Sequence, residues 1–432
     1  MQIIEFPERN AWADLLRRPS LDTKMLEETV ASIIGDVRQN GDDALRRFSR
    51  QFDRHSIDEF EVTEHEFAEA ETAISAELRS AIATAIENIG RFHAVTESDP
   101  EPIETMRGVL CWRRILPIEK VGLYVPAGSA PLFSTVLMLA IPAKLAGCNE
   151  VIMCSPPNEN GKVEPATLYA ARVCGVDRVY KIGGAQAIAA MAYGTETVPS
   201  VYKIFGPGNQ FVTEAKLQVM RSGVAIDMPA GPSEVAVLVD STCKPEFAAA
   251  DLLSQAEHGP DSQVMLVSTD RGVIRSVIAE VESQIVRLPR KDTAMAAIAN
   301  SKAILVESID AAVELLNEYA AEHLIIATDD AGAVADRITN AGSVFIGNFS
   351  CEAAGDYASG TNHTLPTGGA ARSYSGVTVS SFKKSITYQK LSEEGIRNLA
   401  PTIETMASAE GLEAHARAAS VRVAASGGQN DV

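Results

Sequence analysis

The chain has 432 residues, 46% of them hydrophobic and 22% charged, with a formal net charge of −19. That length exceeds one ordinary domain, and the balance is that of a folded protein with a large core. The negative charge argues against DNA or RNA as partner, and no apolar run reaches the roughly 18 residues that a membrane span requires.

Residues 1–20 read as an N-terminal arm. Met1–Asn10 contains no basic segment leading into an apolar core, so no secretory signal is expected there. The chain up to residue 100 is charged and mostly helical in pattern. Leu26, Val30, Ile33, Ile34 and Val37 fall at helical spacing, with Gly41 closing that helix. Ile74, Leu78, Ile82, Ile86 and Ile89 form a second stripe. Each stripe must be buried on something larger. His55, His65 and His93 lie here and read as surface or partly buried residues.

From about residue 118 the pattern becomes strand–helix alternation. Val121–Val125, Glu150–Cys154, Arg178–Ile182 and Tyr202–Phe205 read as strands. Ser134–Gly147, Pro165–Cys174 and Gly184–Tyr193 read as the helices between them. A second series runs through Glu234–Val239, Gln263–Ser268, Ala303–Val306, His323–Ala327 and Ser343–Gly347, again with helical stretches between. Two such series predict an α/β fold with two parallel-sheet, Rossmann-like modules. The tail from about 376 continues through Phe382–Gln389 into short amphipathic helices to about 424. It is too small to fold alone, and Ser426–Val432 is expected to fray. The six cysteines, 111, 148, 154, 174, 243 and 351, are scattered without a C-x-x-C, as in a reduced, cytoplasmic protein.

Four segments carry polar groups suited to chemistry. Ser254–Asp261 ends an apolar helical run, and Gly259-Pro260 stops it. Gln255 and His258, three apart, would share one face of its last turn, where an amide oxygen and an imidazole suit a cation such as Zn²⁺. A capped, polar helix end is the plainer alternative. Glu322-His323, at the start of an apolar strand, can supply two acid/base groups or simply a strand-end hydrogen-bonded pair. Asp356 and His363 stand in a Gly/Ser/Thr/Asn-rich loop of the functional kind, although a chance surface histidine fits as well. Glu410 and His415, on a C-terminal helix, read by themselves as a solvated face. Gly183–Ile188 and Phe205–Asn209 are strand-to-helix turns whose amides suit phosphate, without a G-x-G-x-x-G pattern.

Several of these segments, together with Gly122–Leu139 and Ile226–Glu234, resemble the histidinol dehydrogenase family, from about residue 20 to the tail. The resemblance implies one zinc per subunit, held by Gln255, His258, Asp356 and His415, with His415 donated by the neighbouring subunit of a homodimer. It implies Ser233, His363 and Glu410 as further substrate contacts beside the zinc ligands and His323. Tyr124, Gln186 and Asn209 are implied as NAD contacts, His323 as general base and Glu322 as the residue that activates water. The implied organisation is residues 21–123 with 231–375 as the zinc and substrate domain, 124–230 as the NAD domain, and 376–432 as a helical tail docked on the partner.

The expected reaction is the oxidation of L-histidinol to L-histidine by two NAD⁺, in a cytoplasmic enzyme of histidine biosynthesis. A near-neutral His323 would take the protons. Rival readings are a zinc hydrolase with Glu322 as base, a thiol aldehyde dehydrogenase using Cys154 or Cys351, and a zinc and NAD dehydrogenase of another small polyol.

Overall fold

The computed structural model describes residues 1–18, 23–53, 55–95, 99–127, 131–229 and 231–426. The expected fraying of 427–432 therefore lies outside the described residues, as do 128–130 and 230 within the family-like segments.

The strands in chain order are β1 (Gln2–Glu5), β2 (Ile103–Met106), β3 (Val109–Pro117), β4 (Lys120–Tyr124), β5 (Glu150–Ser155), β6 (Arg178–Lys181), β7 (Lys203–Phe205), β8 (Ala225–Ile226), β9 (Glu234–Val239), β10 (Gln263–Ser268), β11 (Lys302–Leu305), β12 (His323–Ala327), β13 (Ser343–Ile346) and β14 (Lys383–Leu391). The α-helices are α1 (Trp12–Leu15), α2 (Thr23–Phe48), α3 (Glu64–Ala73), α4 (Ala76–His93), α5 (Ser134–Ala146), α6 (Pro165–Val173), α7 (Gly184–Tyr193), α8 (Gln210–Met220), α9 (Pro245–Ala256), α10 (Arg271–Ile285), α11 (Lys291–Ala299), α12 (Ile309–Tyr319), α13 (Ala331–Ala335), α14 (Glu352–Tyr357), α15 (Glu393–Ala409) and α16 (Glu413–Ser426).

The chain divides into two compact units. The first comprises the described residues of 1–95 and 118–382 and contains both expected parallel sheets. One has five strands in the order β6-β5-β4-β7-β8, the other six in the order β1-β11-β10-β9-β12-β13. Every pairing in both is parallel. Such strands are covered on both faces, which is why β9 reads as the unbroken apolar run Val235–Val239. Its alternate residues serve opposite sides: Val235, Val237 and Val239 pack toward α9 and α10, Ala236 and Leu238 toward α12.

The early helices cover the five-stranded sheet. Val30, Ile33, Ile34 and Val37 of α2 pack with Ile152 and Tyr180, while Ile82, Ala85 and Ile89 of α4 pack near Val121 and α5. The expected grouping of residues 21–123 with the second series is thus corrected, because both apolar stripes find their complement on the other sheet. Gly41 closes the first helical stretch of α2 as expected: its backbone is non-helical, at φ 49° and ψ −130°, and a second stretch follows this kink. A Cβ there would run into the Glu196 carboxylate that accepts the Asp42 amide at 2.8 Å.

The second unit joins two remote pieces, the described residues of 99–117 and of 383–426. β14 pairs antiparallel with β3 from Lys383↔Pro117 to Leu391↔Val109, and β2 pairs with the other edge of β3. Helices α15 and α16 follow. The tail therefore does not stand by itself, and residues 376–382 belong with the first unit. Among the described residues no helix is long and apolar enough to cross a membrane.

Candidate functional site

Within the first unit a cavity of about 960 Å³ opens between the two sheets. Its five-stranded side is built from loops at the carboxyl ends of the strands: Pro126 after β4, Pro156 after β5, Gly183–Gln186 after β6 and Pro207–Phe211 after β7. Strand order reverses at β4, with β5 on one side and β7 on the other, which is where open parallel sheets bind ligands. The six-stranded side offers residues just before its strands: Ser233, Ser262 and Glu322.

On the first side the tight turn at Gly206 has φ 128°, and a Cβ there would meet the Tyr124 carbonyl, so the position requires glycine. Asn209 caps α8, its side-chain oxygen accepting the amides of Phe211 and Val212 at 3.1 Å each. The Tyr124 hydroxyl accepts the Gly184 amide at 3.0 Å. Burial pushes this phenol up to about 12, so it keeps its proton for donation. Gln186 is buried in the first turn of α7 and lines the cavity. Asp53 also lines this side, with burial pushing its carboxyl up to about 6.

On the second side His323 is the first residue of β12, held between β9 and β13. Its Nδ1 stands 2.8 Å from Gln255 Nε2, 3.4 Å from the Glu234 carbonyl and 3.7 Å from Glu322 Oε2. Its Nε2 stands 3.2 Å from Asp356 Oδ1. Glu322 is buried and accepts the Glu234 amide at 2.8 Å. Burial raises its pKa, partly offset by His323. For His323 burial works against charge, but the carboxylates of Glu322 and Asp356 outweigh it and hold the ring well above its ordinary value. The sequence did not reveal how many acids crowd this ring.

Gln255 lies in the last turn of α9, but that helix ends at Ala256 with Glu257 as C-cap. His258 therefore sits in the following turn, its amide donating to the Gln255 carbonyl at 3.2 Å, and does not share a helix face with it. Its ring lines the cavity, with burial lowering its pKa and Asp356 opposing that. Asp356 lies on the short helix α14 rather than in a loop. His363 follows it in a loop, its Nδ1 2.9 Å from the Asp356 carbonyl and its Nε2 3.2 Å from the Thr135 hydroxyl.

Two acids behind these residues escaped sequence reading. Glu352, fully buried one turn before Asp356, accepts the Ser254 hydroxyl at 2.9 Å. Asp251, one turn before Gln255 on α9, is buried as well, and burial pushes it up to about 6. The E-x-x-x-D spacing of residues 352 and 356 was the available signal.

Four buried polar atoms in this cluster make no well-aligned hydrogen bond: Gln255 Oε1, Glu352 Oε1, and His323 Nε2 with Asp356 Oδ1, which stand 3.2 Å apart but out of line. Buried polar atoms are rarely left so, and several together mark a place for a ligand. Ligand atoms of His323, Glu352 and Asp356 all lie within 4.8 Å of one another. Amide oxygen, imidazole and carboxylate are donors that a divalent cation such as zinc accepts, so the residues present fit one.

Glu410 and His415 lie in the second unit. Glu410 is the C-cap of α15, and His415 stands in the first turn of α16, where it lines a groove with Gln389, Ile396 and Arg422. Both are exposed in the single chain. Cys154 is fully buried, with its thiol held far above the ordinary range by burial. Cys351 is exposed, just ahead of α14.

Comparison with known proteins gives one answer. The profile of the histidinol dehydrogenase family matches residues 16–423. Histidinol dehydrogenase of Bacteroides thetaiotaomicron is 53% identical over 98% of this chain and 99% of its own. That of Xanthomonas euvesicatoria is 51% identical over 98% and 99%. The crystal structure of histidinol dehydrogenase from Elizabethkingia anophelis superposes with a TM-score of 0.95 at 51% identity, covering 98% of each chain.

Proposed function

Since the chain belongs to the histidinol dehydrogenase family, we propose that this oxidoreductase of histidine biosynthesis converts L-histidinol to L-histidine through bound histidinal. Two NAD⁺ would be reduced per substrate, in the cytoplasm. The observation that carries the reading is the cluster of poorly satisfied buried polar atoms on Gln255, His323, Glu352 and Asp356, next to His258, Glu322 and His363, which line a cavity whose other side is built from strand-end turns fit for a dinucleotide.

Gln255, His258 and Asp356 would hold zinc, with His415 supplied by the neighbouring subunit of a homodimer. Zinc, when bound, provides an anchor for the imidazole and amine nitrogens of the substrate, and NAD⁺ provides the hydride acceptor. Ser233, His363 and Glu410 complete the substrate's surroundings. Tyr124, Gln186 and Asn209 face the cofactor.

His323 takes the proton from the alcohol in the first oxidation. Asp356 would hold the cation, whose positive charge beside the ring would favour the neutral, basic form of His323. In the second oxidation Glu322 draws a proton from the water that adds to the aldehyde, and His323 takes the last one. Burial suits Glu322 to this, since it raises the carboxyl toward working pH. Keeping histidinal within the cavity prevents loss of a reactive aldehyde.

The thiol reading loses support from the burial of Cys154 and the surface position of Cys351. The zinc hydrolase reading leaves the glycine turns of the five-stranded side without a purpose. Metal analysis of the purified protein, paired with the yield of NADH per histidinol consumed, is the test. The expectation is one zinc per chain and two NADH per substrate. A single NADH, or turnover without NAD⁺, would defeat the proposal.

A further inference from the structure

The geometry points to Lys216 and Asp227 as positioning residues for the dinucleotide, acting through the Gly206 turn. The inference rests on the reading of the five-stranded side as the NAD site. Gly206 is gripped at both of its polar groups. Its amide donates to Asp227 Oδ2 at 2.7 Å, and its carbonyl accepts from Lys216 Nζ at 2.9 Å. Lys216 and Asp227 form an ion pair with each other, which closes a ring around the glycine. The other Asp227 oxygen also accepts the Met228 amide at 2.7 Å. The two side chains are 2% and 1% exposed. Lys203, a further cation near Asp227, donates to the Ser381 carbonyl instead.

Burying two charges is expensive, and an apolar pair of similar volume commonly supports a fold as well or better. Stability alone therefore does not account for the pair. What the ring does fix is the course of the backbone from β7 into α8. Gly206 is pressed against the Tyr124 backbone, and the next residues, Pro207, Gly208 and Asn209, line the cavity. Lys216 sits two turns along α8, so it ties the helix to the turn that opens it. With the ring intact, the helix amino end and Asn209 hold one attitude toward a bound pyrophosphate. Neither Lys216 nor Asp227 lines the cavity, so neither touches the cofactor.

The test is the double variant K216M/D227L, which removes both charges together, beside K216Q/D227N, which keeps a donor and an acceptor without charge. Each is examined for urea unfolding, NADH fluorescence titration and steady-state kinetics. Both are expected to fold, with KM for NAD⁺ and Kd for NADH raised about ten- to hundredfold in K216M/D227L and less in K216Q/D227N. KM for histidinol, and kcat at saturating NAD⁺, should stay within twofold of wild type. Wild-type affinity for NADH in K216M/D227L would overturn the inference. So would equal loss of kcat and both KM values, or failure of both variants to fold, since the pair would then be structural. Failure of the wild-type protein to bind NADH would instead strike the NAD reading itself.

Discussion

At the scale of single residues, His323 stands where strand, acid and amide meet. Replacement by Ala is expected to lower turnover about 10²- to 10⁴-fold from either histidinol or histidinal. Glu322→Gln should slow oxidation of histidinal more than that of histidinol, because only the second step needs an activated water. Equal losses in the two half-reactions, measured separately, would contradict this split. Behind them, Asp251 gives a prediction about pH. Its folded pKa, about 6, lies above the ordinary 3.8, so folding favours its protonated form. Ionisation therefore removes stability as the pH rises from about 4 to about 6, and the whole cost persists above that. Asp251→Asn should raise the urea midpoint at pH 7.5, by up to about 3 kcal/mol of unfolding free energy, and change it little near pH 4. A gain of equal size at both pH values would show that charge is not the cause. The acids around His323 were only partly legible beforehand. Glu322 is adjacent in sequence, whereas Glu352 approaches only because α14 packs beside α9, bringing the Ser254 hydroxyl to its carboxylate.

Secondary-structure elements divide sharply by how far their stabilising partners lie. The parallel strands were readable as apolar runs because helices cover both faces, and their helices carried matching stripes. β1, with the edge sequence Gln-Ile-Ile-Glu, was not read, since its one strand partner among the described residues, β11, lies 300 residues away. β2 is fully exposed and β3 mixes Trp112, Arg113 and Arg114 with apolar residues, so neither showed a clean period. The end of α9 was misjudged by position: Glu257 already caps the helix, three residues before Pro260. At α8 the cap makes a prediction. Asn209→Ala should lose about 0.5–2 kcal/mol of stability along with NAD⁺ affinity. Asn209→Asp should keep the cap, hence the urea midpoint, yet raise KM for NAD⁺ by placing a carboxylate beside phosphates. If both variants behave alike in both assays, Asn209 is a cap and nothing more.

For the whole molecule, the decisive matter is whether one site draws on two chains. His323→Ala and His415→Ala homodimers should each be nearly inactive. Mixed and allowed to exchange subunits, they should regain up to about a quarter of wild-type activity, because half the dimers become hybrids in which one of two sites is intact. No recovery after demonstrated exchange would place His415 in its own chain's site or outside any site. The expectation of such sharing comes only from the resemblance; periodicity alone reads Glu410 and His415 as a solvated face, and both are exposed in the single chain.

The pairing of β14 with β3 also bears on synthesis. Nine registered residue pairs join segments some 270 positions apart, so β3 emerges from the ribosome long before its mate exists. Until Lys383–Leu391 has been made, one side of that nascent ribbon presents bare amides and carbonyls, an invitation to pair with a stranger. A premature stop just past codon 382 would make this exposure permanent, and such shortened products should collect in inclusion bodies even though both parallel sheets are encoded in full.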